Sequence, residues 1–144
     1  MFKTIVVAVD GSAPSENALL TACDIAKKYD AAIHLVHSPE LDPIALAMGS
    51  GAFSIDHSSA EVKTAGRQIM VKAKELAQYY GCEPAECHIN NGSAAEDILK
   101  HAKKADADLI VAGRRGLGNL TGLFMGSVSQ KIAQEAKCAC MTVT

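Results

Sequence analysis

Tryptophan is absent from this 144-residue chain and aromatic residues make up only 4% of it, which excludes a core organised around large rings. The interior has to come from the Val, Ile, Leu and Ala that dominate a 49% hydrophobic composition. Such residues suit buried parallel strands and close-packed helices. An excess of charge of one sign is also missing: 14 basic residues face 16 acidic ones for a net −2, and no basic cluster is longer than two. A general nucleic-acid binder needs a basic face, so that class is set aside. No apolar run approaches the roughly 20 residues of a membrane span. The run from Ile5 to Val9 is stopped by Asp10, too short for a signal-peptide core. These absences lead us to expect a cytoplasmic protein without membrane insertion, folded as one domain over 1–144.

A cysteine framework is lacking too. Cys23, Cys82, Cys87, Cys138 and Cys140 are odd in number and follow no disulfide spacing, so they are expected to be reduced and mostly buried as small apolar residues. Cys82, Cys87 and the adjacent His88 raise the question of a metal. Tetrahedral zinc, however, takes cysteine pairs from turns, and neither Cys82/Cys87 nor the C-x-C of Cys138 and Cys140 sits in one. His34, His57, His88 and His101 show no partner spacing and are expected to be structural or exposed.

What is present is an alternation of short β-branched runs with longer helical patterns. Strands are predicted at Lys3–Val9, Ala32–His37, about Glu83–Asn90, Leu109–Ala112 and Ala139–Val143. Between the first two, Ser12 can cap a helix with Pro14 in its first turn and Ala18, Leu19, Ala22, Ile25, Ala26 and Tyr29 on one face. The second helix carries Val62, Ala65, Ile69, Ala73, Leu76 and Tyr80 inward and stops at Gly81. Ser93-Ala94-Ala95-Glu96 and Ser127-Val128-Ser129-Gln130 read as capping boxes, the last helix ending near Lys137. The order βαβαβαβαβ argues for a parallel α/β sheet with helices on both faces. The irregular segment 38–59, containing Pro39, Pro43, Gly49 and Gly51, is long for a connection and leaves strand two at its C-terminal end, where a lid would sit.

Ligands bind such sheets at the C-terminal strand ends, where the winding direction reverses. Asp10, His37 and the loop after strand four fall there. That loop reads Gly113-Arg114-Arg115-Gly116, nine residues, then Gly126-Ser127. Glycines let a backbone approach a ligand, and a helix start offers N–H groups to an anion. A few hydrogen bonds to a charged group, at about 1.5–3 kcal/mol each, can support a micromolar affinity, which needs about −8 kcal/mol. Two familiar phosphate loops fail the comparison. No Gly-Lys-Ser or Gly-Lys-Thr is present for a Walker loop, and the dinucleotide fingerprint begun at Gly116-Leu117-Gly118 meets Thr121 where its third glycine belongs.

The G-x-x-G, nine residues, G-S pattern, taken with Val9-Asp10-Gly11-Ser12 at the other end, resembles the universal stress protein family over essentially the whole chain. The resemblance implies a Rossmann-like α/β fold of the adenine nucleotide alpha-hydrolase type, with a five-stranded parallel sheet in the order 3-2-1-4-5 and homodimerisation through the last strand. It also implies the ATP-binding subgroup, because the glycine signature is complete. By position, Gly113, Gly116, Gly126 and Ser127 would hold phosphates, and Asp10 would face the ribose and a phosphate-bound Mg2+. Val9 and the backbone near His37 would take the adenine side. Ala8, Ala112, Val128 and Ser129 flank these positions and complete the set, with Arg115 favoured over Arg114 for the ligand. His37 and Ala139 depart from the family's usual aliphatic residue and proline; an imidazole at 37 could stack on the base.

No catalytic set accompanies these motifs, since Ser12 has no His or acid arranged around it. The leading expectation is an ATP-binding (or ADP- or AMP-binding) regulatory or stress-response module with slow or no hydrolysis, acting through a protein partner that the sequence does not name. The alternatives are a slow ATPase or ATP-activating enzyme of the alpha-hydrolase group, for which there is no substrate domain, and a nucleotide-free dimer acting through protein contacts.

Overall fold

The parallel sheet is set by three short, largely apolar strands buried at its centre and two exposed strands at its edges. A computed structural model of the chain describes residues 1–39, 59–116 and 125–144. Of the lid segment expected at 38–59, all but Ser38, Pro39 and Ser59 lie outside the described residues, as do residues 117–124 of the glycine-rich loop. The elements are β1 (Thr4–Ala8), α1 (Ala13–Tyr29), β2 (Ala32–His37), α2 (Ser59–Tyr79), β3 (Glu86–Ile89), α3 (Ala94–Lys104), β4 (Leu109–Gly113), α4 (Ser127–Glu135) and β5 (Ala139–Val143). The sheet order is β3-β2-β1-β4-β5, with every neighbouring pair parallel.

Alternation along each strand divides the core in two. Ile5 and Val7 of β1, Ile33 and Leu35 of β2, and Leu109 and Val111 of β4 pack under α1 and α2 with Leu19, Ala22, Met70 and Ala77. Val6, Val36, Ile110 and Ala112 point the other way, against Ala95, Ile98, Ala102 and Ile132 of α3 and α4. The helices meet the sheet largely through alanine, which explains how so few aromatics suffice. Phe2 and Tyr29 pair edge-on with ring centroids 5.3 Å apart at the rim.

The ends of α1 follow from local chemistry. Ser12, in extended backbone, accepts from the N–H of Ser15 at 3.3 Å and caps the helix above Pro14. Asp30 closes the other end in the left-handed region at φ 53°. Several expectations need correcting. Tyr29 is 39% exposed and not part of the inward face, and Tyr80 lies beyond the end of α2 and is also exposed. β3 is only four residues long, and α4 stops at Glu135. Neither capping box forms: Ser93 occupies the cap position without a side-chain hydrogen bond, and the cap of α4 is Gly126 rather than Ser127. Cys23 is buried, its thiol pushed up to about 12, chiefly by burial and then by neighbouring Cys82. Cys87 and Cys140 are exposed, contrary to the expectation of mostly buried cysteines.

Asp108, one residue before β4, accepts from the backbone N–H groups of Lys3 at 2.6 Å and Thr4 at 3.0 Å, tying the start of β1 to its neighbour. Those hydrogen bonds hold its carboxyl below the usual range. A depressed carboxylate contributes stability above its unfolded pKa, near 4, and loses that contribution as pH falls through the lower folded value. Asp108→Asn should therefore lower the urea midpoint at pH 7, and the gap to the wild-type chain should close below about pH 4. A gap that persists unchanged in acid would show that the carboxylate's charge is not what matters.

Candidate functional site

The site forms where the C-terminal ends of β1 and β4 part, with α1 leaving on one face of the sheet and α4 on the other. Asp10, two residues past β1, is held by its own turn. Its Oδ1 accepts from the Ser12 N–H at 2.9 Å and from the Ser12 hydroxyl at 2.6 Å. Its N–H donates to Ser15 Oγ at 3.1 Å, and that hydroxyl donates to the Ala8 carbonyl at 3.3 Å. The other oxygen, Oδ2, faces the glycine-rich loop. A Cβ added to Gly116 would lie 2.6 Å from it, closer than real Cβ atoms come to a neighbour. At the end of β4, a Cβ on Gly113 would meet Pro14 and the Ser15 N–H at 3.0 Å. Gly113 therefore lets the chain lie against the first turn of α1 and Gly116 lets it lie against Asp10, where a side chain would push it away.

The loop is pinned from its other end. Arg114 donates its N–H to the Val143 carbonyl at 2.6 Å, and its carbonyl accepts from the Gly126 N–H at 2.8 Å. Ser129, only 3% exposed, places its hydroxyl 2.9 Å from the Arg114 carbonyl and 3.0 Å from that of Gly126. The Gly126 N–H, expected to face phosphate, is thus engaged in shaping the loop, together with the Ser129 hydroxyl. α4 begins with no side-chain cap, so the N–H groups of its first turn, at Ser127, Val128 and Ser129, supply the positive end of the helix to an anion. Arg114 and Arg115 are both exposed.

On the other side of β1, Val9 is 5% exposed and bridges to β2, its N–H donating to the Val36 carbonyl at 2.9 Å. His37 Nδ1 lies 2.7 Å from the Val9 carbonyl. A carbonyl only accepts, so Nδ1 carries a proton. Nε2 is buried without a hydrogen-bond partner among the described residues, and the ring, 4% exposed, lies against Gly66 of α2. An open stacking face is not what His37 presents; it fixes the backbone of Val9. Ala112 is buried on the α3–α4 side, leaving its backbone at the strand end.

A cleft of about 770 Å³ opens between α1 and α2 beside Asp10, lined by Val9, Asp10, Gly11, Ser15, Gln68 and Lys72 among others. It is in the usual range for a small-molecule site, roughly 300–1,000 Å³. Asp10, Gly113, Gly116 and Gly126 come together at the strand ends, with Val9 and His37 on the flank, and the cleft meets this group at Val9 and Asp10. Missed were Ser15 and Pro14, which carry Asp10 and receive Gly113; the Ser-x-x-Ser at the start of α1 was the available sign.

A donor removed from Ser129 leaves both carbonyls with backbone partners, because Gly126 O also accepts from the Gln130 N–H at 3.0 Å. Ser129→Ala should accordingly cost only about 0.5–1.5 kcal/mol in urea unfolding, while amide exchange at Gly126 speeds up. An unchanged exchange rate there would remove Ser129 from the loop's support.

Three comparisons bear on this arrangement. The family model described as Universal stress protein family matches residues 1–144. Universal stress protein YxiE of Bacillus subtilis is 36% identical over 148 aligned residues, covering 99% of each chain. Among solved structures, a universal stress protein in complex with cAMP aligns with a TM-score of 0.73 at 25% identity, covering 99% of this chain and 97% of the other. The universal stress protein from Archaeoglobus fulgidus in complex with dAMP aligns at 0.69 and 21% identity, covering 100% and 98%.

Proposed function

Because the chain belongs to the universal stress protein family, we propose that it binds ATP, with Mg2+, in the crevice between Asp10 and the glycine-rich loop. In this reading it works as a nucleotide-dependent regulatory module, not as an efficient enzyme. The observation that carries the proposal is the approach of Gly116 to Asp10 Oδ2, a cradle that a Cβ would fill. The adenine-nucleotide complexes of the two solved relatives support the ligand class.

The donor set fits a magnesium nucleotide better than a bare one. Phosphate beside the Asp10 carboxylate would bring like charges together, at about 4 kcal/mol for a 4 Å separation and an effective dielectric of 20. A hard divalent cation that takes carboxylate and phosphate oxygens reverses that sign. Asp10 Oδ2 would hold it, the first-turn N–H groups of α4 and the Gly116 backbone would hold phosphate, and Val9 would line the base. Bound there, Mg2+ would supply charge neutralisation. Hydrolysis needs in addition a group that orients water or takes its proton. Ser12 does neither: its hydroxyl donates to Asp10 and accepts from Ser15, which makes it a cap.

Calorimetry should give micromolar ATP binding with Mg2+ and at least tenfold weaker binding in EDTA. Asp10→Asn, which keeps an Oδ1 acceptor for Ser12, should narrow that difference, and Gly116→Arg should abolish binding while the chain stays folded by circular dichroism. No heat with any adenine nucleotide would defeat the reading in favour of a nucleotide-free interaction protein. Turnover above a few per minute would favour the ATPase.

We also propose that a second copy pairs through β5. This strand ends the sheet, four of its five residues are exposed, and Met141 is 37% exposed. An open edge of this kind is ordinarily covered, charged or broken; β5 contains neither charge nor proline. Sedimentation should show a dimer that Met141→Lys converts to monomer, and a monomeric wild-type chain would overturn the assignment.

A further inference from the structure

Away from this crevice, on the opposite face of β2, four polar side chains gather under α3. His34 of β2 lies opposite Glu86 of β3 in the parallel register, and His88, two residues on, projects to the same side. His101 descends from α3. His34 and His101 are buried, at 9% and 8% exposure, in the layer where Val36, Ile98 and Ala102 pack. Their ring nitrogens, His34 Nδ1 and His101 Nε2, are 3.0 Å apart. Glu86 Oε2 is 3.8 Å from His34 Nδ1 and 2.6 Å from His88 Nε2. The rings of His88 and His101 are tilted against each other with centroids 4.2 Å apart.

We propose that His34, His101 and Glu86 form a binding site for a divalent transition cation of the zinc class, with His88 as the positioning residue for the Glu86 carboxylate. The three ligand atoms all lie within 4.8 Å of one another. Tetrahedral zinc with bonds of about 2.0–2.1 Å to nitrogen and oxygen requires ligand atoms about 3.3 Å apart. The imidazole pair, hydrogen-bonded at 3.0 Å, has to open by about 0.3 Å and move the shared proton to the other nitrogen of its ring. The carboxylate has to close by a fraction of an ångström toward His34 and by up to about 1.5 Å toward His101, a movement within the reach of one glutamate rotamer change. Glu86 is the ligand free to make it, since its side chain is half exposed whereas the two histidines are fixed by packing.

The charge state suits a cation. Burial is the main cause lowering the pKa of both His34 and His101, and the neighbouring imidazoles lower that of His101 further. The hydrogen bond from His88 lowers that of Glu86. Near neutral pH the set offers two neutral imidazoles and one carboxylate. Two nitrogen donors disfavour calcium and magnesium, which take oxygen, and favour zinc and its first-row neighbours. Cys87 lies between Glu86 and His88 in sequence and so projects to the other face, opposite Leu35 in register, outside the set. Two protein nitrogens and one oxygen leave a fourth position for water, and a bound ion would fasten the short edge strand β3 to α3.

The test uses the full chain, reduced, free of a histidine tag, stripped of metal and without nucleotide. Titrated with zinc ion alone, it should bind one equivalent and melt at a higher temperature. Glu86→Gln, at a half-exposed position that the fold tolerates, should weaken binding at least tenfold, and His101→Gln should abolish both binding and the thermal shift. Cobalt ion should give the absorption of a tetrahedral site without a thiolate charge-transfer band. Absence of binding would overturn the site. So would equal affinity in wild-type and Glu86→Gln protein, or a thiolate band assigning the metal to the cysteines. Folded-state circular dichroism of each variant separates lost ligation from lost structure.

Discussion

Everything at the strand ends depends on the pairing of β1 with β4, which joins segments 105 residues apart, as measured by the hydrogen bond from Lys3 to Asp108. Ile5, Val6 and Val7 stand opposite Leu109, Ile110 and Val111, and with that register fixed the chain beyond each strand has little choice. Asp10 and Gly116 must approach, because each leaves its strand at the same height before the helices turn to opposite faces. The closure is entropically demanding, and a long-range parallel contact of this kind has to be repaid by burial. Five of those six residues are no more than 1% exposed, and Leu109 is at 2%. The contact between carboxylate and glycine is thus a consequence of core packing several residues away.

Much of this was legible in the sequence where one local rule decides the outcome. β2 and β5 have the predicted bounds, because each is a short apolar run between turn residues, and Ser12 caps α1 as its type and position suggest. The rules failed where tertiary context competes with them. Ser127 lost the cap of α4 to Gly126 because the chain is already drawn in by the Gly126 to Arg114 hydrogen bond. Tyr29 has helical spacing but sits in the last turn of α1, past the edge of the sheet, where Phe2 covers it only in part. At the site, sequence identified Asp10 and the glycines as neighbours but gave the Gly126 N–H an outward role and the Ser129 hydroxyl none of its own. The distinction between a hydroxyl that binds ligand and one that builds the loop rests on two carbonyl positions, which sequence does not encode locally.

The histidines show the same limit more sharply. His34 and His37 are three residues apart, an odd separation, so the pleat sends them to opposite faces of β2. One fixes the backbone of Val9 beside Gly66, and the other meets His101 beneath α3. Their partners are distant in sequence: His34 and His101 are 67 residues apart. No spacing rule could pair them without the β2–β3 register and the placement of α3. The absence of a partner spacing is a statement about local sequence, and the sheet supplies the partners of His34, His88 and His101 from elsewhere in the chain.

The two edges of the sheet carry this division to the surface. β3 and β5 are both short and largely exposed, yet their chemistry differs. β3 alternates Glu86 and His88 with Cys87 and Ile89, so one of its faces is polar and ionisable and sits against a helix. β5, Ala139 to Val143, carries no ionisable acid or base apart from the Cys140 thiol. An uncharged edge gives another strand no electrostatic reason to avoid it, whereas charged side chains on an edge oppose such pairing. The difference between the edges is therefore one of chemistry and not of burial: β3 turns ionisable side chains toward α3, and β5 presents an uncharged edge. The crevice between Asp10 and the glycine-rich loop lies between them at the centre of the sheet, where β1 and β4 are covered on both faces.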